Sequence, residues 1–147
     1  MRPSAKLSVS GSWRGMQRIA DTGLLKALLD KSDEYHKWAH LQFREHAPFE
    51  TCESVLDELA HLVGDPRLGM RLVARGDLLL SFALSQHIGA VLELLDKYAD
   101  RPMDLADACI VRMTELADAC KVWTVDKEDF RIYRRHGRQH IPCVFPG

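Results

Sequence analysis

The sequence lacks a long apolar run, and this absence excludes a membrane-spanning protein. No stretch approaches the roughly 20 consecutive apolar residues that a transmembrane helix needs. The opening segment MRPSAKLSVSGSWRG contains no apolar core of the kind found in secretory signals, and it is polar and rich in Ser and Gly. We therefore expect a mostly disordered extension over residues 1–15, one folded domain over residues 16–147, no membrane contact and a cytoplasmic location.

Paired cysteines and an excess of positive charge are also missing. The four cysteines show neither a CxxC pair nor zinc-finger spacing, which favours reduced thiols over a zinc site. The formal net charge is −1, so nonspecific nucleic-acid binding through an overall basic surface is excluded, and any such site must be a local patch. No GxGxxG or P-loop pattern indicates a nucleotide cofactor.

What is present is an alternation of short strand-like runs with longer helical ones. The strand-like runs are MQRIA, PFETC, LLLSFAL, KVWTV and HIPCVF, and LLLSFAL is apolar enough to predict a buried strand. DTG after the first run predicts a turn, and SQHIGAVLELLDKYAD predicts a helix with Ile88, Val91, Leu92 and Leu95 on one face. Strands that alternate with helices favour an α/β fold with a mostly parallel sheet covered on both faces.

Two aspartates follow strand-like runs directly. Asp21 comes after MQRIA and Asp126 after KVWTV, with Thr22 and Thr124 close to them in sequence. Ligands of parallel α/β sheets gather outside the carboxyl ends of the strands. Aspartates at such positions are also common turn formers and helix caps, so for each residue alone both interpretations stay open.

A glutamate in ESVLDELAHLV lies at the edge of an apolar helix face. Val55, Leu59 and Leu62 form that face at 100° per residue, and Glu58 lies about 60° from Val55. Asp57 falls on the opposite, solvated side. Because an inward carboxylate is costly unless it is paired or binds a metal, Glu58 is the candidate functional acid of this helix.

The segment RPMDLADACIVRM contains two aspartates at the start of a predicted helix. Asp104 follows Pro102-Met103 and is well placed as the N-cap, and Asp107 occupies the third helical position. Asp107 also lies about 60° from Ile110, at the margin of the apolar face. A cap explains Asp104, but it does not explain why Asp107 leans inward.

These observations select four carboxylates, Asp21, Glu58, Asp107 and Asp126. If they converged without a partner, their mutual repulsion would raise their pKa values and destabilise the fold. Mg²⁺ or Mn²⁺ would resolve that repulsion, because both are hard cations that prefer oxygen ligands and often bind substrate phosphates as well. Convergence is a hypothesis at this point.

Four segments of the chain, IADTGLLKALL, TCESVLDELAHLV, YADRPMDLADACIVRMTELA and VWTVDKEDFRIYR, resemble PIN-domain nucleases, the family that includes the VapC-type toxins of toxin–antitoxin pairs. The resemblance covers nearly all of residues 16–147. It implies a three-layer α/β/α sandwich with a mostly parallel sheet of about five strands. It also implies Mg²⁺- or Mn²⁺-dependent hydrolysis of phosphodiesters, most often in RNA.

Carried over to this chain, the resemblance implies that Asp21, Glu58, Asp107 and Asp126 are the catalytic metal ligands. Thr124 would supply a hydroxyl near the metal, and Asp104 and Asp129 would be auxiliary acids. The polar extension over residues 1–15 departs from the family pattern. The run RIYRRHGRQH follows the fourth acid and is interpreted either as a solvated surface or as an RNA backbone contact, through Arg131, Arg134, Arg135 and Arg138.

The function so implied is a divalent-metal-dependent endoribonuclease, the toxin of a toxin–antitoxin pair, with RNA as substrate, a small antitoxin protein as partner and a homodimeric state. Two alternatives remain. One is a PIN-domain nuclease that serves housekeeping RNA processing or acts on DNA. The other is a non-catalytic nucleic-acid-binding or protein interaction module, which the complete acid set disfavours.

Overall fold

The computed structural model describes residues 16–147, so the extension expected over residues 1–15 lies outside the described part of the chain. The strands are β1 Met16–Ala20, β2 Phe49–Thr51, β3 Leu78–Leu80, β4 Ala119–Trp123, β5 Arg134–Arg135, β6 Gln139–His140 and β7 Cys143–Val144. The helices are α1 Thr22–Leu29, α2 His36–His46, α3 Glu53–Val63, α4 Pro66–Ala74, α5 Ile88–Lys97, α6 Leu105–Leu116 and α7 Lys127–Ile132, with a short 3₁₀ helix at Leu84–Gln86.

Five strands form one parallel sheet in the order β3-β2-β1-β4-β7, and β5 and β6 form a separate antiparallel hairpin. The central pair, β1 and β4, is in register from Met16 opposite Ala119 to Ala20 opposite Trp123. Helices flank the sheet, so the predicted three-layer α/β/α class with about five parallel strands is confirmed.

The side of the sheet to which successive strands are added changes between β1 and β4, the two central strands. After β1 the chain continues to β2 on one side, and after β4 it continues to β7 on the other side. In open α/β sheets such a reversal leaves a crevice at the carboxyl ends of the two central strands. Asp21 and Thr124 are the residues that follow these two ends, so the topology positions the site.

The core lies between the sheet and its helices and consists of large apolar side chains. β1 buries the consecutive residues Ile19 and Ala20, and β4 buries Cys120, Val122 and Trp123, as expected where helices cover both faces of a sheet. The largest fully buried side chains are Tyr133, Phe49, Phe130, Ile19, Leu24, Leu25, Leu59, Leu78, Ile110, Val55, Val111 and Val122. Two of these aromatic residues, Phe130 and Tyr133, belong to the segment that follows Asp126.

Two predictions from apolar composition were wrong in part, because the strand and the helix form but several of the residues expected to be buried are exposed. LLLSFAL forms a strand over only Leu78–Leu80, and this strand lies at the edge of the sheet, where Leu79 is 46% exposed. In α5 the buried residues are Val91 and Leu94, whereas Ile88 is 57% exposed and Leu92 is exposed as well. An edge strand is covered less completely than a central one, and the inward stripe of α5 is narrower than its apolar pattern suggests.

The segment DTG is not a turn. Asp21 is the N-cap of α1, and Thr22 and Gly23 form its first turn. A Cβ atom on Gly23 would overlap the side chain of Val125, the residue between Thr124 and Asp126. Gly23 therefore allows the start of α1 to lie against the loop after β4.

Within residues 16–147, none of the helices is long and apolar enough to cross a membrane.

Candidate active site

Hydrogen bonds join the carboxyl ends of β1 and β4. The backbone N–H of Asp21 donates to the carbonyl oxygen of Trp123 at 3.0 Å, which continues the strand pairing by one residue. The hydroxyl of the buried Thr124 donates to Oδ2 of Asp21 at 2.7 Å, and its oxygen accepts the backbone N–H of Asp126 at 3.0 Å. Thr124, expected from the family resemblance to lie near the metal, thus links two of the four predicted acids.

The third predicted acid, Glu58, approaches the same point from α3. Its Oε1 accepts the hydroxyl of Thr22 at 2.6 Å, and Thr22 is the neighbour of Asp21. Glu58 is half-buried and Asp57 is exposed, so the helical position chosen from the sequence is confirmed. The predicted apolar face of α3 is partly wrong, because Val55 and Leu59 are buried but Leu62 is 55% exposed.

The fourth acid, Asp107, lies in the first turn of α6. Asp104 is the N-cap of this helix, and its Oδ1 accepts the backbone N–H of Asp107 at 2.8 Å, so the predicted cap is confirmed. Asp107 itself is half-buried, and its Oδ2 accepts the hydroxyl of Tyr133 at 2.9 Å. The two aspartates of RPMDLADACIVRM therefore have different surroundings.

Asp129 is the other predicted auxiliary acid. It stabilises the loop beside the site and does not lie among the four central acids. Asp126 is the N-cap of α7, and its Oδ1 accepts the backbone N–H of Asp129 at 3.0 Å. The carboxylate of Asp129 is paired with the guanidinium of Arg101, which belongs to the loop before α6. This ion pair connects the segment after Asp126 to the segment before Asp107.

Burial raises the pKa values of three of the acids. It raises the pKa of Asp21 to about 6, although the hydrogen bond from Thr124 acts in the opposite direction. Burial also raises the pKa of Asp107 to about 8, and the negative charges of Asp21, Asp104 and Asp126 add to this increase. Burial raises the pKa of Asp126 above its ordinary value as well.

Hydrogen bonds through Thr22, Thr124 and Tyr133 bring these acids to one end of the sheet, where their charges influence one another. The charges of Glu58 and Asp126 act on Asp21, and the charges of Asp21 and Asp126 act on Asp107. Four residues from four separate segments therefore share one electrostatic environment at the carboxyl end of the sheet. Concentrated carboxylates that are partly buried and close to one another are disfavoured unless protons or a cation balance their charge.

The donor set fits a hard divalent cation. The site offers carboxylate oxygens and the threonine hydroxyl, which are ligands that Mg²⁺ and Mn²⁺ prefer. Within residues 16–147, no group of three or more His, Cys, Asp or Glu side chains is arranged to hold a metal ion by itself.

A cleft between α3 and α6 leads to the acids from outside. It has a volume of about 400 Å³ and is lined by Glu53, Ser54, Asp57, Glu58, Asp104, Leu105 and Ala106. Its rim is acidic, so the electrostatic potential of the cleft attracts cations and repels anions.

The basic run after Asp126 is only partly available to a ligand. Arg135 is 8% exposed and its guanidinium donates to the carbonyl oxygens of Thr114 and Ala117, so its predicted RNA contact is wrong. Nη1 of Arg134 donates to three carbonyl oxygens of its own segment, the nearest at 2.7 Å, which also leaves it poorly suited to bind RNA. Arg131 and Arg138 are exposed and remain candidates.

Sequence reasoning missed two residues that shape the site, Tyr133 and Arg101. Tyr133 contacts an acid 26 positions away, and Arg101 pairs with one 28 positions away. No local pattern indicates such contacts. The role of Thr22 could have been found, because its position beside Asp21 was visible in DTG.

Comparisons with known proteins add no family assignment. No protein-family model matches the chain, and no curated protein matches it significantly.

Proposed function

We propose that this protein is a divalent-metal-dependent endoribonuclease of the PIN type. The observation that carries the proposal is the hydrogen-bond network through Thr22, Thr124 and Tyr133, which holds four acids at the carboxyl end of the sheet: Asp21, Glu58, Asp107 and Asp126. The choice of RNA as substrate rests on the resemblance of four chain segments to PIN-domain nucleases. Mg²⁺ or Mn²⁺ is the cofactor that fits this set of oxygen ligands.

Each acid has a role that follows from its partners. Asp21, Asp107 and Asp126 would hold the metal directly or through water, while Thr124 fixes the carboxylate of Asp21 through its 2.7 Å hydrogen bond. Glu58, held by Thr22, would either contribute to a second metal or orient the attacking water. When bound, a divalent cation would lower the pKa of that water and stabilise the leaving oxygen of the phosphodiester.

The rest of the site orients these groups and admits the substrate. Asp104 fixes the start of α6, and the Arg101–Asp129 pair fixes the loop after β4. Arg131 and Arg138 are exposed and would contact the phosphate backbone of RNA, whereas Arg135 would not.

A cleavage assay on total cellular RNA tests this proposal. The purified protein is freed of metal with a chelator and titrated with Mn²⁺, and wild type is compared with Asp107→Asn. We expect Mn²⁺-dependent fragments from wild type and a loss of at least about 100-fold in the variant, equivalent to roughly 3 kcal/mol of transition-state stabilisation. Glu93→Gln is the matched control, because Glu93 is an exposed acid of α5 that does not line the cleft between α3 and α6, so this variant should cleave RNA like wild type.

The assay also separates the proposal from its alternatives. Wild-type protein that cleaves no RNA at any Mn²⁺ concentration, and is indistinguishable from Asp107→Asn, would contradict the nuclease proposal and favour a binding module. Cleavage of single-stranded or duplex DNA in place of RNA would retain the metal-dependent chemistry and change the substrate. Both substrates are therefore included in the same titration.

The biological part of the proposal is that the chain is the cytoplasmic toxin of a toxin–antitoxin pair, acts as a homodimer and binds a small antitoxin protein. Growth arrest on expression tests this part. Arrest should be abolished by Asp21→Asn or Asp107→Asn and by co-expression of a small partner. Normal growth despite active enzyme would favour a housekeeping nuclease.

A further inference from the structure

We propose that Tyr133 is a positioning residue that fixes the carboxylate of Asp107 for binding a divalent cation. This inference rests on the proposed function and extends it to a residue outside the acid set. Tyr133 follows α7, whereas Asp107 belongs to α6, so the contact joins two different elements of the site.

The contact is a hydrogen bond between buried or partly buried groups. The phenolic O–H of Tyr133 donates to Oδ2 of Asp107 at 2.9 Å, and the Tyr133 side chain is fully buried. When Asp107 is ionised, as cation binding requires, this becomes a hydrogen bond to a charged acceptor, which is stronger than one between neutral groups. Oδ2 of Asp107 is thereby engaged, and Oδ1 is the oxygen left for a ligand.

The ring of Tyr133 is held tightly enough to act as a fixed support. It packs edge-on against Tyr98 and Phe130, with ring centroids 5.1 Å and 5.3 Å away. Its backbone N–H donates to the carbonyl oxygen of Asp129 at 3.0 Å. The hydroxyl of Tyr133 therefore has a defined position, set by α7 and by the end of α5.

Asp107 is consequently fixed at two points. Its backbone N–H is bonded to Asp104 at 2.8 Å, and its side chain is bonded to Tyr133. The same tyrosine lies at the end of the helix that Asp126 caps, so it couples the position of Asp107 to the segment that carries Asp126. Partners that orient a metal-binding carboxylate typically contribute about 10- to 100-fold to metal affinity or activity.

Tyr133→Phe tests this inference, because it removes the hydroxyl and keeps the packed ring. Mn²⁺ affinity is measured by electron paramagnetic resonance of free Mn²⁺ and by calorimetry, with thermal unfolding as a check of the fold. We expect the dissociation constant to rise about 10- to 100-fold in Tyr133→Phe. Cleavage by the variant should recover at saturating Mn²⁺, which a general loss of structure would not allow.

Tyr98→Phe is the matched control. Its hydroxyl accepts the backbone N–H of Arg134 at 2.8 Å, so this variant also loses one tyrosine hydrogen bond, but not one to an acid of the site. Its Mn²⁺ affinity should equal that of wild type. Equal weakening of Mn²⁺ binding in both tyrosine variants would overturn the positioning role.

The outcomes separate this inference from the proposed function. Wild-type protein that binds Mn²⁺ and cleaves RNA, with unchanged affinity in Tyr133→Phe, overturns the inference alone. Wild-type protein that binds no Mn²⁺ and cleaves nothing overturns both. Should Tyr133→Phe unfold, Asp107→Glu provides the second test: its longer side chain displaces the carboxylate from Tyr133, so an Mn²⁺ affinity equal to wild type would contradict the inference.

Discussion

Asp107 has a pKa of about 8, so in the metal-free protein this carboxyl group is mostly protonated at neutral pH. Asp21, with a pKa of about 6, is mostly ionised under the same conditions. A cation that binds Asp107 must displace its proton, and metal affinity should therefore increase as the pH rises towards 8. The two buried acids thus differ in charge although they share one site.

The raised pKa of Asp107 also predicts how stability depends on pH. Because the folded state keeps a proton that the unfolded state releases near pH 4, the free energy of unfolding decreases as the pH rises from about 4 to 8. We expect wild-type protein in chelator to be less stable at pH 8 than at pH 5, and Asp107→Asn to remove on the order of 1 to 3 kcal/mol of that difference. Urea unfolding at several pH values measures it.

Asp57→Asn serves as the control for this prediction, since it removes an exposed carboxylate outside the buried cluster. Its dependence of stability on pH should follow that of wild type. Parallel curves for wild type and Asp107→Asn between pH 5 and 8 would show that Asp107 is not held in the protonated form by its surroundings.

At the residue scale the sequence could predict which way a helical side chain faces, but not which distant residue it would bond to. Helical periodicity distinguished Glu58 from Asp57, because the side-chain direction in a helix follows from spacing alone. The hydrogen bond between Tyr133 and Asp107 spans 26 positions and depends on how α7 packs near α6. No periodic pattern contains that information.

At the scale of elements, α6 is fixed at both of its ends by side chains. Asp104 accepts a backbone N–H at its start, and Arg135 donates to the carbonyl oxygens of Thr114 and Ala117 near its end. An acidic group at the start of a helix and a basic group at its end both interact favourably with the helix dipole. The helix that carries Asp107 is therefore held by residues far from the acids.

Arg135 and Arg138 should consequently respond differently to the same substitution. Arg135→Met leaves two carbonyl groups without their buried donor, so it should lower the free energy of unfolding by about 1 to 3 kcal/mol. Arg138→Met changes an exposed side chain and should alter stability by less than about 0.5 kcal/mol while weakening RNA binding. Chemical denaturation and an RNA-binding titration measure the two effects.

Weaker RNA binding by folded Arg135→Met than by Arg138→Met would contradict this assignment. The comparison is informative because both residues belong to the same basic run, and the sequence gives no reason to treat them differently. The structure separates them because Arg135 lies in β5 and its guanidinium is buried at the end of α6. Arg138 is an exposed residue of the turn between β5 and β6, in which His136 and Gly137 have positive φ angles.

Strands were predicted well where the local sequence pattern determines their burial. They were predicted poorly where burial depends on whether the strand is central or at the edge of the sheet. The strands before Asp21 and before Thr124 were found because apolar runs bounded by polar residues are typical of central parallel strands. LLLSFAL is more apolar than either run, but its strand lies at the sheet edge and is largely exposed. Strand order is a long-range property, so composition cannot supply it.

At the scale of the whole molecule, the sheet order explains why the acids meet. β1 and β4 are adjacent although about 100 residues separate them: Thr124 is bonded to Asp21 across 103 positions. The connections leave these two strands in opposite directions, which opens the crevice that α3 and α6 then border. Convergence was predictable as a consequence of a parallel fold, and Thr124 was expected near the acids, whereas the Tyr133 hydroxyl that bonds Asp107 was not predictable.

We propose above all that the cluster of Asp21, Glu58, Asp107 and Asp126 binds a divalent cation. Anomalous X-ray diffraction from crystals of the metal-free protein soaked in Mn²⁺ tests it most directly. We predict an anomalous peak among the carboxylates of Asp21, Asp107 and Asp126, absent from crystals of Asp107→Asn treated in the same way. Well-ordered wild-type crystals with no peak at these carboxylates under saturating Mn²⁺ would contradict the claim.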